Sequence, residues 1–297
     1  MFNWRKLKDR VSGKLMLLIT ILACSLVLVI GIGLITKSLP VLENNSFFKL
    51  LFSSDWHPLR GQFGMLPFII STLLVTLVAV LLAVPICLLA AVYLSEYANR
   101  KVLLYVNPVI DILAGIPSVV FGVWGIILIV PFVKNQVAPL FGVSSTGYSI
   151  LSGGLVLAVM ILPVIIHLFI SVIKSVPAEL RNASLSLGAT KWETVKLVVL
   201  RKSKSGIFAG IVLGLSRAFG ETMAVLMVVG NVIKIPGSLL DPGYPLPALI
   251  ANNYGEMLSI PLYDSALMFS ALILFIIVII FNIISRFVLV GIERRTI

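Results

Sequence analysis

The chain has 297 residues, of which 59% are hydrophobic and only 12% are charged, and its mean hydropathy is +1.12. This composition excludes an ordinary soluble domain and predicts an all-α protein that crosses a membrane several times. The net charge of +11 does not indicate a nucleic-acid-binding protein, because the basic residues fall in alternate loops between apolar blocks.

Six apolar blocks are long enough for a membrane-spanning helix, which needs about 20 residues. They lie near residues 15–36, 64–94, 103–133, 149–173, 206–232 and 265–291. The predicted organisation is an N-terminal tail (1–14), a first transmembrane helix (15–36), an outer segment (37–63), a five-helix core (64–291) and a C-terminal tail (292–297). The first block follows basic residues, but it is too long for a signal peptide and lacks a cleavage site, so we expect a retained anchor.

Positive charge is divided unequally between the two sets of connecting segments. Seventeen of the 23 Lys and Arg residues lie in the N-terminal tail, the 95–102 loop, the 174–205 loop or the C-terminal end, and five lie in the alternate segments. The positive-inside rule then predicts that both termini and the 174–205 loop are cytoplasmic. The alternate segments, including the turn-rich stretch 233–264, are expected on the outer side.

The 174–205 loop, called the basic loop below, is too polar for lipid yet regularly patterned. Pro177 and Glu179 suit the start of a helix, and small or apolar residues then recur at helical spacing. These residues are Leu180, Ala183, Ser184 and Leu187. Gly188 can end the helix in a left-handed cap, and Thr190 with Glu193 forms a capping-box pattern that begins a second helix. The pattern predicts a docking helix near 177–188 rather than a plain connection.

The basic loop resembles the Glu-Ala-Ala coupling loop of ABC importer membrane subunits, through Asn182-Ala183-Ser184, Gly188 and Val198-Val199-Leu200. Asn182 stands where that family usually has Glu, and Arg201 stands where the pattern ends in Pro. The resemblance implies that the loop enters a cleft on an ATPase subunit and transmits its nucleotide-driven motion. We assign the ATPase-facing surface to Leu180, Asn182, Ala183, Ser184, Leu187 and Gly188.

The sequence has no pattern that would make the chain itself an enzyme. Gly188-Ala189-Thr190-Lys191 lacks the glycine spacing of a phosphate-binding loop and the Ser or Thr after Lys. No cluster of His, Cys and carboxylates has metal-ligand spacing, and Cys24 and Cys87 lie inside apolar blocks. We therefore expect no catalytic residue, no metal and no cofactor, and any ATP hydrolysis would belong to a separate subunit.

The third apolar block is interrupted at Gly115 and Pro117, near the middle of the membrane. A half-helix that begins near Pro117 would present free N–H groups and a positive dipole end to an anion. The alternative is a proline kink that only shapes the bundle. Asp111 precedes the break and either pairs with a basic group or faces water.

The fifth apolar block begins with Gly206, Gly210 and Gly214, a ridge that lets another helix approach closely. Arg217 follows near mid-membrane, and Glu221 is expected one turn further along the same helical face. Intramembrane charges usually face a cavity or a partner, so we assign the pair to a substrate pathway. The alternative is a structural ion pair. A lone His167 in the fourth block is expected to be hydrogen-bonded inside the bundle.

Four segments together resemble the C-type permease subunits of phosphate-specific ABC importers. They are Phe63–Tyr97, Asp111–Trp124, Leu155–Pro163 and Arg217–Ala224. The resemblance spans roughly residues 60–295 and implies the type I ABC importer permease fold in a bacterial or archaeal cytoplasmic membrane. It implies a heterodimer with a sister permease, a cytoplasmic ATP-binding subunit dimer and an extracytoplasmic phosphate-binding protein, all in a lipid membrane.

Inorganic phosphate is accordingly the expected substrate, and Arg217, Glu221, Asp111 and Ser118 are the residues expected along its pathway. One alternative is an ABC permease for another oxyanion, such as sulfate or molybdate. A different class is an ATP-independent channel or secondary transporter, which would also lack a nucleotide site. The spacing of the coupling loop argues against that class.

Overall fold

The computed structural model describes residues 4–256, 260 and 262–294, most of which are helical. The helices are α1 (Trp4–Asn44), α2 (Phe47–Phe52), α3 (Leu66–Tyr97), α4 (Arg100–Gly115), α5 (Ser118–Leu140), α6 (Ile150–Lys174), α7 (Ala178–Ser186), α8 (191–202), α9 (Lys204–Phe219), α10 (Met223–Leu226), α11 (Leu246–Asn253) and α12 (Tyr263–Arg294). A short hairpin of β1 (Trp56–His57) and β2 (Gln62–Phe63) follows α2. Residues 1–3 and 295–297 of the two predicted tails lie outside the described residues.

The prediction of an all-α polytopic membrane protein is confirmed. In the described part of the chain, five helices are long and apolar enough to cross a membrane. They are α3, α5, α6, the Val11–Asn44 part of α1 and the Tyr263–Gly291 part of α12. The first, fourth and sixth apolar blocks, and most of the second, therefore lie in single helices. The sixth crossing stays a prediction.

The third and fifth apolar blocks are not single helices. The break in the third block was predicted, whereas the expectation of one helix across the fifth block was wrong. In the third block, α4 ends at Gly115 and α5 begins at Ser118 with Pro117 as its N-cap, so the predicted half-helix is present. In the fifth block, α9 ends at Phe219 after 16 residues. The chain then continues through the short α10 and an irregular stretch that returns through Gly243 to pair with Gly230. Irregular backbone at such depth is stable only where protein covers it.

Protein contacts cover this irregular stretch, which explains why its backbone need not be helical. Val228 and Val229 are fully buried, and Gly125 on α5 gives Val228 room, since a Cβ at Gly125 would lie 2.8 Å from its Cγ1. On the return path, the hydroxyl of Ser71 accepts a hydrogen bond from Tyr244 N at 3.1 Å. The stretch 233–264 contains the short helix α11, whose buried first turn packs against α3 and α12; its place on the outer side stays a prediction.

The centre of the fold is the packing of α3, α6 and α9. Gly210 and Gly214 bring α9 against α6, because a Cβ at Gly210 would lie 2.8 Å from Phe169 Cε1 and one at Gly214 would lie 2.5 Å from Ile165 Cδ1. The predicted glycine ridge is thereby confirmed as a helix-packing face. A second apolar cluster joins α2, the hairpin and α11 to α12.

The first helix is attached to the rest of the chain mainly through α12. Pro40 lies inside α1, where a proline disturbs the hydrogen-bond ladder. Ser265 of α12 repairs that position, since its hydroxyl donates to Lys37 O at 2.9 Å and accepts from Val41 N at 3.1 Å. No residue in the most apolar 18-residue window of α1 is buried by the rest of the described chain, so lipid or a partner is expected to cover it.

Candidate coupling and substrate sites

The basic loop folds as the cap residues require. Pro177 is the N-cap of α7, one position before the expected one. Gly188 has a φ of +85° and its N–H donates to Leu185 O at 3.0 Å, so the predicted left-handed end of the helix is confirmed. The capping box is confirmed as well, because Thr190 N donates to Glu193 Oε2 at 2.8 Å and Glu193 N donates to Thr190 Oγ1 at 3.3 Å.

The hydrogen bonds of the capping box also set the ionisation of Glu193. The backbone N–H and then the hydroxyl of Thr190 donate to its carboxylate and lower the pKa of Glu193 from its ordinary value of 4.5. Hydrogen bonds to a carboxylate favour the charged form. The carboxylate is therefore charged at neutral pH, where it supports the start of α8.

Five of the six residues assigned to the ATPase-facing surface are exposed: Leu180, Asn182, Ala183, Leu187 and Gly188. Leu187 is 89% exposed. The sixth, Ser184, is half-buried, and its hydroxyl lies 3.0 Å from Thr194 Oγ1 of α8. Ser184 thus joins the two helices of the loop, and the helical spacing alone could not distinguish that role. Trp192, 52% exposed, extends the apolar surface and was missed.

A partly buried ion pair beside α7 was also missed. Arg181 Nη2 lies 2.8 Å from Glu96 Oε1, and Arg181 Nε donates to the same oxygen at 3.2 Å. The guanidinium also donates to the carbonyl of Ile173 at 2.9 Å and to that of Val176. In the sequence, Arg181 is only one of several basic residues of the loop, and nothing near it indicates a carboxylate partner.

Arg217 lies in the last turn of α9 and is exposed on the isolated chain. It is thirteen residues beyond the first residue of that helix, or about 20 Å at 1.5 Å per residue. The described residues give its guanidinium no ion pair or hydrogen bond. A cation at this depth requires water, a ligand or a partner protein.

Glu221 does not extend the helical face of Arg217, and that expectation was wrong because α9 ends between them at Phe219. Its Oε1 instead accepts a hydrogen bond from Ala224 N at 3.4 Å. The side chain borders a cavity of about 10 Å³ shared with Thr72 and Thr76 of α3. That volume is near the lower limit for a single water molecule.

Asp111 and Ser118 lie on either side of the break between α4 and α5. Asp111 Oδ1 lies 3.0 Å from His167 Nε2 of α6, although His167 Nε2 makes no hydrogen bond of acceptable geometry. Asp111 thus lies beside a basic side chain, as one of our alternatives required, whereas the hydrogen bond expected for His167 Nε2 is not formed within the described part of the chain. Ser118 is half-exposed in the first turn of α5. The recorded contacts do not join these two residues to Arg217 or Glu221.

The described residues supply an exposed short helix, α7, and a cation, Arg217, with no recorded partner among them. In the part of the chain that was searched, no group of three or more His, Cys, Asp or Glu side chains could hold a metal ion. An exposed apolar helix above a membrane bundle is suited to protein recognition. An Arg in the bundle is suited to an oxyanion, because its forked donors match two oxygens at once.

These features are those of a membrane transport component, and comparison with known proteins agrees. Residues 83–297 match the family model described as "Binding-protein-dependent transport system inner membrane component". The chain is 37% identical over 268 residues to the phosphate transport system permease protein PstC of Xylella fastidiosa (strain 9a5c), covering 86% of this chain and 81% of the relative. It is 36% identical over 260 residues to the probable ABC transporter permease protein YqgH of Bacillus subtilis (strain 168), covering 84% and 80%.

The chain belongs to the family of binding-protein-dependent transport system inner membrane components. A solved structure with the same fold is the inward-facing MetNI methionine ABC transporter. It aligns with a TM-score of 0.57 at 20% identity and covers 75% of this chain and 93% of that one. The predicted permease architecture is thereby confirmed, and the protein is a multi-pass membrane permease.

Proposed function

We propose that this chain is a permease subunit of an ATP-driven ABC importer for inorganic phosphate. The observation that carries the proposal is the exposed docking helix α7, ended by Gly188 at φ +85° and followed by the capping box that starts α8. A channel or secondary transporter has no use for such a helix. The identity of 37% to a phosphate transport permease supports phosphate as the cargo.

The proposed assembly contains a sister permease, two copies of an ATP-binding subunit and an extracytoplasmic phosphate-binding protein. The ATP-binding subunit would contact the exposed residues of α7 from the cytoplasm and would perform all the hydrolysis. Both termini would be cytoplasmic, in agreement with the excess of Lys and Arg at that side. This chain would have no catalytic residue of its own.

We place the phosphate route along the exposed face of α9 that carries Arg217. Burying an unpaired charge in a helix centre costs roughly 2.5–3.5 kcal/mol on lenient scales, so this face would border a watery route between the two permeases. Glu221 would contribute the carboxylate oxygen that its hydrogen bond to Ala224 leaves free. Asp111 and Ser118 would line the same route where α5 begins.

The direct experiment is to purify the chain from membranes together with its bound partners. We expect it to copurify with an ATPase whose activity rises when the phosphate-loaded binding protein is added. Stimulation by a sulfate- or molybdate-loaded binding protein instead would support the other oxyanions. Failure to copurify with any ATPase would eliminate the importer proposal.

A further inference from the structure

The basic loop is attached to the membrane helices by one polar junction, formed by Arg181 of α7, Glu96 of α3 and the end of α6. Glu96 Oε1 accepts hydrogen bonds from Arg181 Nη2 at 2.8 Å and from Arg181 Nε at 3.2 Å. The same guanidinium donates to the carbonyls of Ile173 and Val176. One side chain therefore contacts three separate segments of the fold.

Arg181 adds donors to two groups at helix ends. Ile173 lies in the last turn of α6, where its carbonyl also accepts a hydrogen bond from Val176 N at 3.3 Å, so Arg181 is a second, charged donor to it. Glu96 lies in the last turn of α3, where the negative end of the helix dipole opposes a carboxylate. The side chains of Arg181 and Glu96 are only 20% and 11% exposed, so water cannot replace the pair at low cost.

Two further contacts lie beside the junction and hold the helices of the basic loop in place. The ammonium of Lys191, the first residue of α8, lies 4.7 Å from the ring centroid of Tyr97, which follows Glu96 on α3. A cation over an aromatic face is attractive at this distance. The Ser184–Thr194 hydrogen bond joins α7 to α8. Both helices of the basic loop are thus tied to each other and to the same end of α3.

We propose that Glu96 and Arg181 are positioning residues that transmit displacement of α7 to α3 and α6. This inference rests on the proposed function, because it requires an ATPase that moves α7. A push on α7 reaches α6 through the carbonyls of Ile173 and Val176, and it reaches α3 through the Glu96 carboxylate. Since α3 and α6 form the centre of the bundle, the junction connects the docking surface directly to the helices that surround Glu221.

The functional test is a double-mutant cycle of Glu96→Gln and Arg181→Gln in the complete complex. Phosphate imported per ATP hydrolysed should fall about 2- to 30-fold in each variant, the range of measured coupling effects. The double variant should lose no more than the worse single one, since one junction is broken in each case. Arg181→Lys keeps the charge but not the forked donors, so its import per ATP should be intermediate. The matched control is Lys101→Gln, which removes a positive charge from an exposed position.

A merely structural role would reduce the amount of complex without changing phosphate imported per ATP. Normal import per ATP in both single variants, or additive losses in the double variant, would overturn the proposal. If the Gln variants do not assemble, a distance measurement replaces them. Spin labels are placed on two exposed positions, Glu179→Cys of α7 and Leu89→Cys of α3, and the distance between them is compared in the parent and in Arg181→Lys. That label distance should be narrow in the parent and broaden in Arg181→Lys, and an unchanged distribution would reject the junction. This distance measurement remains valid even if phosphate is not the cargo.

Discussion

Glu221 Oε1 accepts a hydrogen bond from Ala224 N at 3.4 Å, across the turn that follows the last residue of α9. The bond directs the carboxylate towards the start of α10, and among the described residues Arg217 has no carboxylate partner. A guanidinium in that state is available to an anion, whereas one engaged by a carboxylate would first have to be released. We therefore propose that the end of α9 at Phe219 keeps Arg217 available to an anion.

Replacing Arg217 tests the phosphate route. We expect Arg217→Gln to assemble and to reduce phosphate uptake about 10- to 100-fold, because a hydrogen bond to a charged group contributes roughly 1.5–3 kcal/mol. Arg217→Lys should retain part of the uptake as a point charge without the fork. Glu221→Gln preserves the acceptor for Ala224 and should have a smaller effect. Uptake at the parental rate in Arg217→Gln would remove this residue from the route.

The left-handed end of α7 is tested by Gly188→Val. A Cβ at Gly188 meets nothing within 4 Å, so the substitution acts only through its φ of +85°. A β-branched residue resists that conformation, and we expect ATP hydrolysis to continue while phosphate uptake falls. Gly255→Val is a matched control, with a φ of +84° and equally open surroundings. Uncoupling in the control alone, or in neither variant, would contradict a docking role for α7.

The glycine ridge of α9 gives a prediction about stability. Gly210→Ala places a methyl group 2.8 Å from Phe169 Cε1, and overpacking of this kind costs about 1–3 kcal/mol. Gly33→Ala in α1 meets nothing within 4 Å and should be neutral or slightly stabilising, since Ala is the better helix former. Thermal unfolding of both variants in the same detergent makes the comparison. Equal midpoints would show that the ridge is not tightly packed.

The capping box predicts a local dependence on pH. Because the folded pKa of Glu193 is lowered from 4.5, its contribution is complete above that value and is lost as the pH falls through the lower, folded value. Amide exchange at Thr190, corrected for the intrinsic rate, should therefore accelerate below about pH 4.5 but not between pH 6 and 8. Thr190→Ser should preserve this behaviour, Thr190→Val should weaken it because the backbone N–H of residue 190 still donates to the carboxylate, and Glu193→Gln should abolish it. Protection that is independent of pH in the parent would contradict the ionised cap.

Membrane orientation is tested by single cysteines at Lys202 and Leu140, both of which are exposed. Cys24 would first be replaced by Ser, whereas the buried Cys87 can remain. An impermeant maleimide should label the Lys202 position from the cytoplasmic side and the Leu140 position from the opposite side. Labelling of both positions from one side would show that the predicted topology is wrong.

The features that could be predicted from the sequence are those that depend on residues close together in the chain. The end of α7 at Gly188, the capping box at Thr190 and the start of α5 after Pro117 all depend on residues within a few positions of one another. Their conformational preferences are intrinsic, so neighbours in the chain suffice. The close packing at Gly210 was predictable for the same reason, although its partner Phe169 was not.

The remaining features depend on residues far apart in the chain. The end of α9 at Phe219 requires α3 and α5 to cover the irregular stretch beyond it, and hydropathy alone does not distinguish covered backbone from helix. The Glu96–Arg181 pair spans 85 residues and has no local signature. Ser184 has the helical spacing of the docking face, but it is half-buried because it contacts Thr194 of α8.

The central claim, ATP-driven phosphate import through this chain, is tested most directly by uptake of radiolabelled phosphate into proteoliposomes that contain the assembled complex. The account predicts accumulation that requires both ATP and the phosphate-binding protein, is not competed by sulfate or molybdate, and is reduced about 10- to 100-fold in a complex carrying Arg217→Gln. Phosphate accumulation that continues without ATP, or ATP-dependent uptake of another oxyanion in place of phosphate, would contradict it.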